Sequence, residues 1–147
     1  MKLVKTTDDK YIVLIRLLVG LVFLSEGIQK FLFPALVGTG RFAIIGFANP
    51  EFWSYFTACF EVVCGLLLMI GMYVRLTSIP LLIIMIVAFI STKIPILVDK
   101  GFWQFAHEYR TDFAMTVSLI FLLIKGAGAY SVDFILQKQK KIFIDSI

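Results

Sequence analysis

Four windows in this chain are each about as long as a bilayer is thick and are dominated by Leu, Ile, Val and Phe. A transmembrane helix needs about 20 predominantly apolar residues, and turn-forming or charged residues separate the four windows. The sequence therefore predicts an all-α, polytopic membrane protein: one membrane domain over residues 1–147, built as a four-transmembrane-helix bundle with short cytoplasmic tails. The spans fall at about residues 11–33, 52–73, 76–98 and 105–125. Pro34 closes the first, and Asn49-Pro50 and Arg75 bracket the second. Pro80 is expected in the first turns of the third, where a missing N–H is tolerated, and Pro95 predicts an irregular exit. The clean apolar run of the fourth, residues 113–124, is too short alone and must recruit polar residues. With 60% hydrophobic and 16% charged residues, the connections are too short and polar to fold into a second core, which excludes a separate soluble catalytic domain.

Basic residues set the expected direction. Lys2, Lys5, Lys10, Arg75, Lys138, Lys140 and Lys141 fall on one side of a four-pass arrangement, against chiefly Arg41 and Lys100 on the other. Both termini are therefore expected to be cytoplasmic, in a cytoplasmic (inner) membrane. No small-x-small cleavage pattern follows the first lysines, so the first apolar run reads as an uncleaved span. The net charge of +4 gathers at the termini rather than along one stripe, so it reports topology and gives no support for nucleic-acid binding.

A rise of 1.5 Å per residue converts position into depth. Arg16 and Lys125 lie near the cytoplasmic ends of their helices and are expected to snorkel to water. Glu26, Lys30, Glu61 and Lys93 occupy the outer half, with Glu61 roughly 13 Å below the outer end of its span. His107, Glu108, Arg110 and Asp112 join that layer from the fourth helix, His107 and Arg110 on one face, Glu108 and Asp112 on another. Helical phase places Arg16, Gly20, Gly27 and Lys30 in one stripe, with Glu26 at its edge, and Ser54, Thr57, Ala58, Glu61 and Gly65 in another. Gly20, Gly27 and Gly65 are packing candidates, since small residues let helices approach closely. Gly71, Phe60 and Leu67 fall away from the Glu61 stripe, towards lipid or a neighbouring subunit.

Glu61 is the deepest carboxylate, and its helix supplies no charge within a turn. Its partner must come from another helix, with Lys30, Lys93 and Arg110 as candidates. Such charges either form an ion-pair network that fixes helix register or line a functional pocket. His107 is the one histidine, and with no cysteine in its layer a metal site is not expected. Cys59 and Cys64 lie about 140° apart around a helix, which suits packing rather than thiol exchange. Trp53, Tyr55, Phe102, Trp103 and Phe105 read as interfacial anchors.

The fragments EGIQK at residues 26–30, EVVCGLLLMIGMYVR at 61–75 and KGAGAYSVD at 125–133 occur in an order and spacing that resemble the DoxX family of small four-helix membrane proteins. The resemblance covers nearly the whole chain and implies family-pattern positions at Gly27, Lys30, Glu61, Gly65, Gly71, Arg75, Gly128 and Asp133. Related proteins are linked to membrane sulfur and thiol oxidation feeding the quinone pool and to oxidant-defence complexes; more distant ones act in trafficking or receptor assembly. The implied bundle also looks like that of vitamin K epoxide reductases, whose cysteine pairs have no counterpart here. Nor does the chain carry a Rossmann glycine pattern, phosphate loop, HExxH or haem CxxCH, so no intrinsic cofactor is expected. The leading expectation is a membrane subunit of a quinone-linked redox complex. Its outer-half pocket would be lined by Glu26, Lys30, Glu61, Lys93, His107, Glu108, Arg110 and Asp112, with Glu61 as proton carrier and Lys30 or Arg110 as the cation. The lipid bilayer, a protein partner or second copy, and a quinone or other lipid-soluble ligand are the expected partners. A non-enzymatic scaffold or assembly factor and a small carrier or proton path are the alternatives.

Overall fold

A computed structural model describes residues 6–145, with side chains described through residue 142; Lys2 and Lys5, which entered the topology argument, lie outside the described residues. The described residues form helices α1 (Ile12–Leu32), α2 (Thr39–Ile45), α3 (Pro50–Ile70), α4 (Val74–Ala88), α5 (Ile94–Lys100), α6 (Phe102–Lys125) and α7 (Val132–Asp145). A π-type turn, Phe89–Lys93, joins α4 to α5, so the chain stays helical from Val74 to Lys100. Among the described residues three helical stretches are long and apolar enough to cross a membrane: Ile12–Leu32, Pro50–Ile70 and Val74–Lys100. The 24-residue α6 packs along α4 and carries Glu108, Arg110 and Asp112 in its first half and Lys125 at its end.

The span ends differ from sequence expectation where turns decide them. The second span stops at Ile70 because Gly71 takes a left-handed conformation, φ +73°, and Tyr73 another, φ +51°. The third therefore begins at Val74, which leaves Pro80 inside α4 rather than in its first turn, with the Leu76 carbonyl deprived of its usual i+4 donor. Gly101 starts α6 three residues earlier than expected. The C-terminal tail is a 14-residue helix, α7.

The α1–α3 interface is the most extensive in the bundle. Gly20 and Gly65 face each other there: a Cβ on Gly65 would lie 2.9 Å from the Gly20 carbonyl oxygen and 3.0 Å from the Leu24 nitrogen. A Cβ on Gly27 would lie 2.9 Å from the Ala58 carbonyl oxygen. Because these neighbours are backbone atoms, a methyl group can be admitted only by moving the helices apart. Gly65→Ala is expected to cost ~1–3 kcal/mol, as overpacking of a close contact does, measured by reversible unfolding in mixed micelles; an unchanged unfolding midpoint would contradict this contact.

The end of the bundle where α1 and α4 begin and α3 and α6 end is called basal here, the other end apical. Ile12, Val19, Phe23, Leu68, Val74, Leu81, Met115, Leu119 and Leu122 form an apolar core, and their positions along the helices put it in the basal half. Beneath this core the chain is clasped by polar groups. Arg16 is 1% exposed and does not snorkel: its Nη1 donates to the Ala127 carbonyl at 2.7 Å and its Nη2 to the Tyr130 carbonyl at 2.5 Å. A guanidinium is retained because the 126–131 loop presents carbonyls that no helix satisfies. Asp133, also 1% exposed, accepts from the backbone N–H groups of Tyr73 (2.8 Å) and Val74 (3.0 Å), capping α4 from another element. Gly71, expected to face away from the packed stripe, is buried in this clasp, where a Cβ would collide with the Arg16 guanidinium. The Gly71 carbonyl accepts the N–H of Asp133 at 3.0 Å, and Gly128 (φ +81°) lies where a Cβ would approach the Asp9 carbonyl to 2.6 Å. Glycines and an aspartate in KGAGAYSVD thus serve to close the basal end.

Candidate functional site

Above the apolar core, two ion pairs link different helices among the described residues. The first joins α1 to α3. Lys30 Nζ donates to Glu61 Oε2 at 2.6 Å, with the two residues 8% and 4% exposed. Glu26, one turn before Lys30, lies 4.0 Å from the same amine and is half exposed at its side chain. Arg16, Gly20, Gly27 and Lys30, which share one stripe by helical phase, are all buried, as are Ser54, Ala58, Glu61 and Gly65 on α3. The glycines bring the backbones close enough for the Lys30 and Glu61 side chains to meet.

The second pair joins the α4–α5 connection to α6. Lys93 Nζ lies 3.2 Å from Asp112 Oδ2 and donates to the Glu108 carbonyl oxygen at 3.0 Å. Lys93 is 8% exposed, and the π turn accounts for its direction. In an unbroken α-helix Lys93 would lie about 120° around the axis from the buried Leu81. The wider turn, closed by the Ile94 N–H donating to the Phe89 carbonyl, removes roughly 90° of that difference and points Lys93 into the α4–α6 seam. Pro95, which has no N–H to donate to the Ser91 carbonyl, follows directly and accounts for the loss of regular α pairing there.

The other charges of α6 face outwards. Arg110 folds back over His107 on its own helix, Nη1 to Nδ1 2.7 Å, and both are exposed. The Glu108 side chain is exposed and accepts from Gln104 at 3.3 Å. The eight candidate residues therefore do not share one chamber: Glu26, Lys30 and Glu61 form one group, Lys93 and Asp112 with the Glu108 backbone a second, and His107 with Arg110 a third, at the apical rim. Among the described residues no three His, Cys, Asp or Glu side chains gather as a metal-ligand set.

A recess lies against the second group. It measures about 110 Å³ and is lined by Met85, Ile86, Phe89, Tyr109 and Thr116. Phe89 is one turn before Lys93, and Tyr109 and Thr116 flank Asp112 on α6, so the recess and the ion pair adjoin along the seam. Phe89 and Tyr109 meet with ring centroids 5.0 Å apart, and Tyr109 stacks on Phe105 at 5.3 Å with 18° between the ring planes. Thr116 Oγ1 donates to the Asp112 carbonyl at 2.7 Å, which leaves its methyl group for the recess. A cleft of about 490 Å³ at the apical rim, lined by Thr39, Asn49, Pro50, Glu51 and Phe52, is larger but holds one charged side chain. Neither space borders Lys30 or Glu61. Sequence reasoning missed the recess, because Phe89, Tyr109 and Met85 look like ordinary membrane-facing residues; Pro95 following a polar STK triplet was the available signal for the turned segment.

Comparison with known proteins gives consistent results at the level of family. The family model described as DoxX matches residues 11–94, more than half of the chain. The chain is 46% identical over 134 residues to "Uncharacterized membrane protein Rv3486" of Mycobacterium tuberculosis, covering 87% of this chain and 82% of that protein. It is 26% identical over 129 residues to "Putative oxidoreductase CatD" of Bacillus subtilis, covering 87% of this chain and 88% of that protein. No solved structure matches the chain.

Proposed function

The chain belongs to the DoxX family of membrane proteins, and from that premise we propose that it is the membrane subunit of a redox complex, taking a quinone head group into the α4–α6 recess beside Lys93 and Asp112. The observation that carries this reading is the juxtaposition of a small recess, flanked by the Phe89 and Tyr109 rings, with a cation–carboxylate pair whose lysine is buried and whose carboxylate reaches water. Apolar cavities of roughly 150 Å³ accept a benzene ring, so about 110 Å³ suits part of a head group with the remainder in the open seam. The name of one relative, that of an oxidoreductase, agrees with the reading.

A quinone, when bound, accepts two electrons and two protons; the electrons come from a partner protein, since this chain has no motif for an electron carrier. What the chain supplies is orientation, charge and protons. Phe89 and Tyr109 offer ring faces for stacking. Lys93, held by the Glu108 carbonyl, places a fixed positive charge in a low-dielectric seam, where it opposes developing negative charge effectively. Asp112, 27% exposed at its side chain, combines a place in the ion pair with access to interfacial water, which suits it to pass protons inwards. The Lys30–Glu61 bridge, closed between α1 and α3, serves instead to fix the register of those helices.

In this reading α6 is the fourth crossing. Its 24 residues span about 36 Å, enough for a hydrocarbon core of about 30 Å, and Phe102 and Trp103 lie exposed at its apical end as interfacial anchors do. The basal end faces the cytoplasm of an inner membrane, because Lys10, Arg75, Lys125, Lys138, Lys140 and Lys141 gather there against Arg41 and Lys100 at the apical end.

The test is retention and turnover. Detergent-purified chain is expected to carry a quinone detectable by mass spectrometry, and Phe89→Ala with Tyr109→Ala to lose it. With a reductant and its partner supplied, Asp112→Asn is expected to slow quinone reduction by about 10² or more, the size of a general acid–base contribution. A chain that neither retains nor binds added quinone, or an Asp112→Asn variant with unchanged turnover, would remove the proposal.

A further inference from the structure

Helix α7 leaves the basal clasp with a fixed orientation. Its second residue, Asp133, is bonded to the start of α4 through the Tyr73 and Val74 N–H groups, and Gln137 one turn later accepts the Thr6 N–H at 2.8 Å. These two residues define the face of α7 turned towards its own chain. At about 100° per residue, Val132, Ile135, Leu136 and Ile142 fall in one arc whose centre lies more than about 100° from that face. The arc finds little cover within the chain: Ile135 is 57%, Leu136 40% and Ile142 61% exposed. Lys138 and Lys140 flank the arc on either side, each about 40° beyond its edge, and Lys141 projects from the opposite face.

The level at which α7 emerges is set by the bundle. α1 and α4 begin and α3 and α6 end at the clasp, so α7 starts where the membrane-crossing helices meet the bilayer boundary. An apolar stripe edged by two lysines at that boundary matches a surface that is hydrocarbon below and anionic above: the stripe enters the acyl region while the amines snorkel to phosphates. We infer that α7 is an interfacial helix lying on the membrane its own bundle crosses, held there by anionic phospholipid headgroups through Lys138 and Lys140. A second copy of the chain would also bury the stripe, and the labels below separate the two arrangements.

The test uses the full chain in nanodiscs. In a Cys59→Ala, Cys64→Ala background, a nitroxide is placed at Ile142→Cys or at Lys141→Cys. In discs containing phosphatidylglycerol, the label at 142 is expected to be reached by oxygen and not by a water-soluble nickel reagent, with the reverse at 141. Lys138→Gln and Lys140→Gln are expected to reduce the inserted population by roughly five-fold each, as loss of one basic contact near an anionic surface does. Equal water access at both positions would overturn the inference. So would insertion that is the same in phosphatidylcholine discs and insensitive to salt. Shielding of 142 from both reagents, with dipolar coupling between labels on two copies, would assign the stripe to self-association and overturn it as well.

Discussion

Glu61→Gln is expected to destabilise the bundle by ~3–5 kcal/mol, the cost of breaking a buried ion pair by removing one partner. The glutamine can still accept a hydrogen bond, but it leaves the Lys30 ammonium 8% exposed, with only the half-exposed Glu26 at 4.0 Å to offset its charge. Removing both charges by Lys30→Met with Glu61→Gln is expected to recover most of the loss, because the uncompensated ion is then gone. A double-mutant cycle on unfolding in mixed micelles measures this directly. Additive losses from the two single variants would show that the side chains do not depend on each other. The cycle also separates the roles given to the two ion pairs: the Lys30–Glu61 variants are expected to change stability, with quinone retention per folded molecule preserved.

The second large effect belongs to Arg16. Arg16→Ala orphans the Ala127 and Tyr130 carbonyls and removes the cation whose field reaches Asp133. A buried acceptor left unpaired, as at Ala127, costs ~1–3 kcal/mol and the part-buried Tyr130 carbonyl adds less, so a loss of ~3 kcal/mol is expected. Arg16→Lys is expected to rescue only part of it, since a single ammonium lacks the planar fork that reaches two separate carbonyls. The distribution of the damage identifies the cause. Amide exchange should accelerate at Tyr73, Val74 and residues 126–133, while amides around Lys30 and Glu61 keep their protection. Uniform acceleration through α1 would instead indicate simple loss of packing by the first helix.

How far the sequence foretold this structure depended on the range of the interaction. Three spans, and the stripes on α1 and α3, were legible because apolar length and 3.6-residue phase are local properties, and Arg16, Gly20, Gly27 and Lys30 on one stripe and Ser54, Ala58, Glu61 and Gly65 on the other are buried, with Thr57 partly so. The separation of Asp112 from His107 and Arg110 was legible for the same reason: three- and four-residue spacing divides HEYRTD between two faces. Arg16 was misread as a snorkelling residue because depth along one helix says nothing of the Ala127 carbonyl, 111 residues away in sequence. Gly71 was placed by helical phase, which ceases to apply once its φ becomes positive and the helix has ended. Lys93 lay beyond phase arguments too, since a π turn changes the angle per residue and redirects everything after it. The C-terminal tail became a helix for a reason visible only in three dimensions: Asp133 is anchored by the start of α4, which fixes where α7 begins.

Photolabelling with a short-chain azidoquinone tests the central claim most directly, because it reports position and needs neither a partner nor turnover. In reconstituted protein, label is expected on the segments containing Phe89 and Tyr109, to be displaced by unmodified quinone, and to fall sharply in Tyr109→Ala. Displaceable label confined to other segments, or label that unmodified quinone does not displace, would contradict the assignment of the α4–α6 recess.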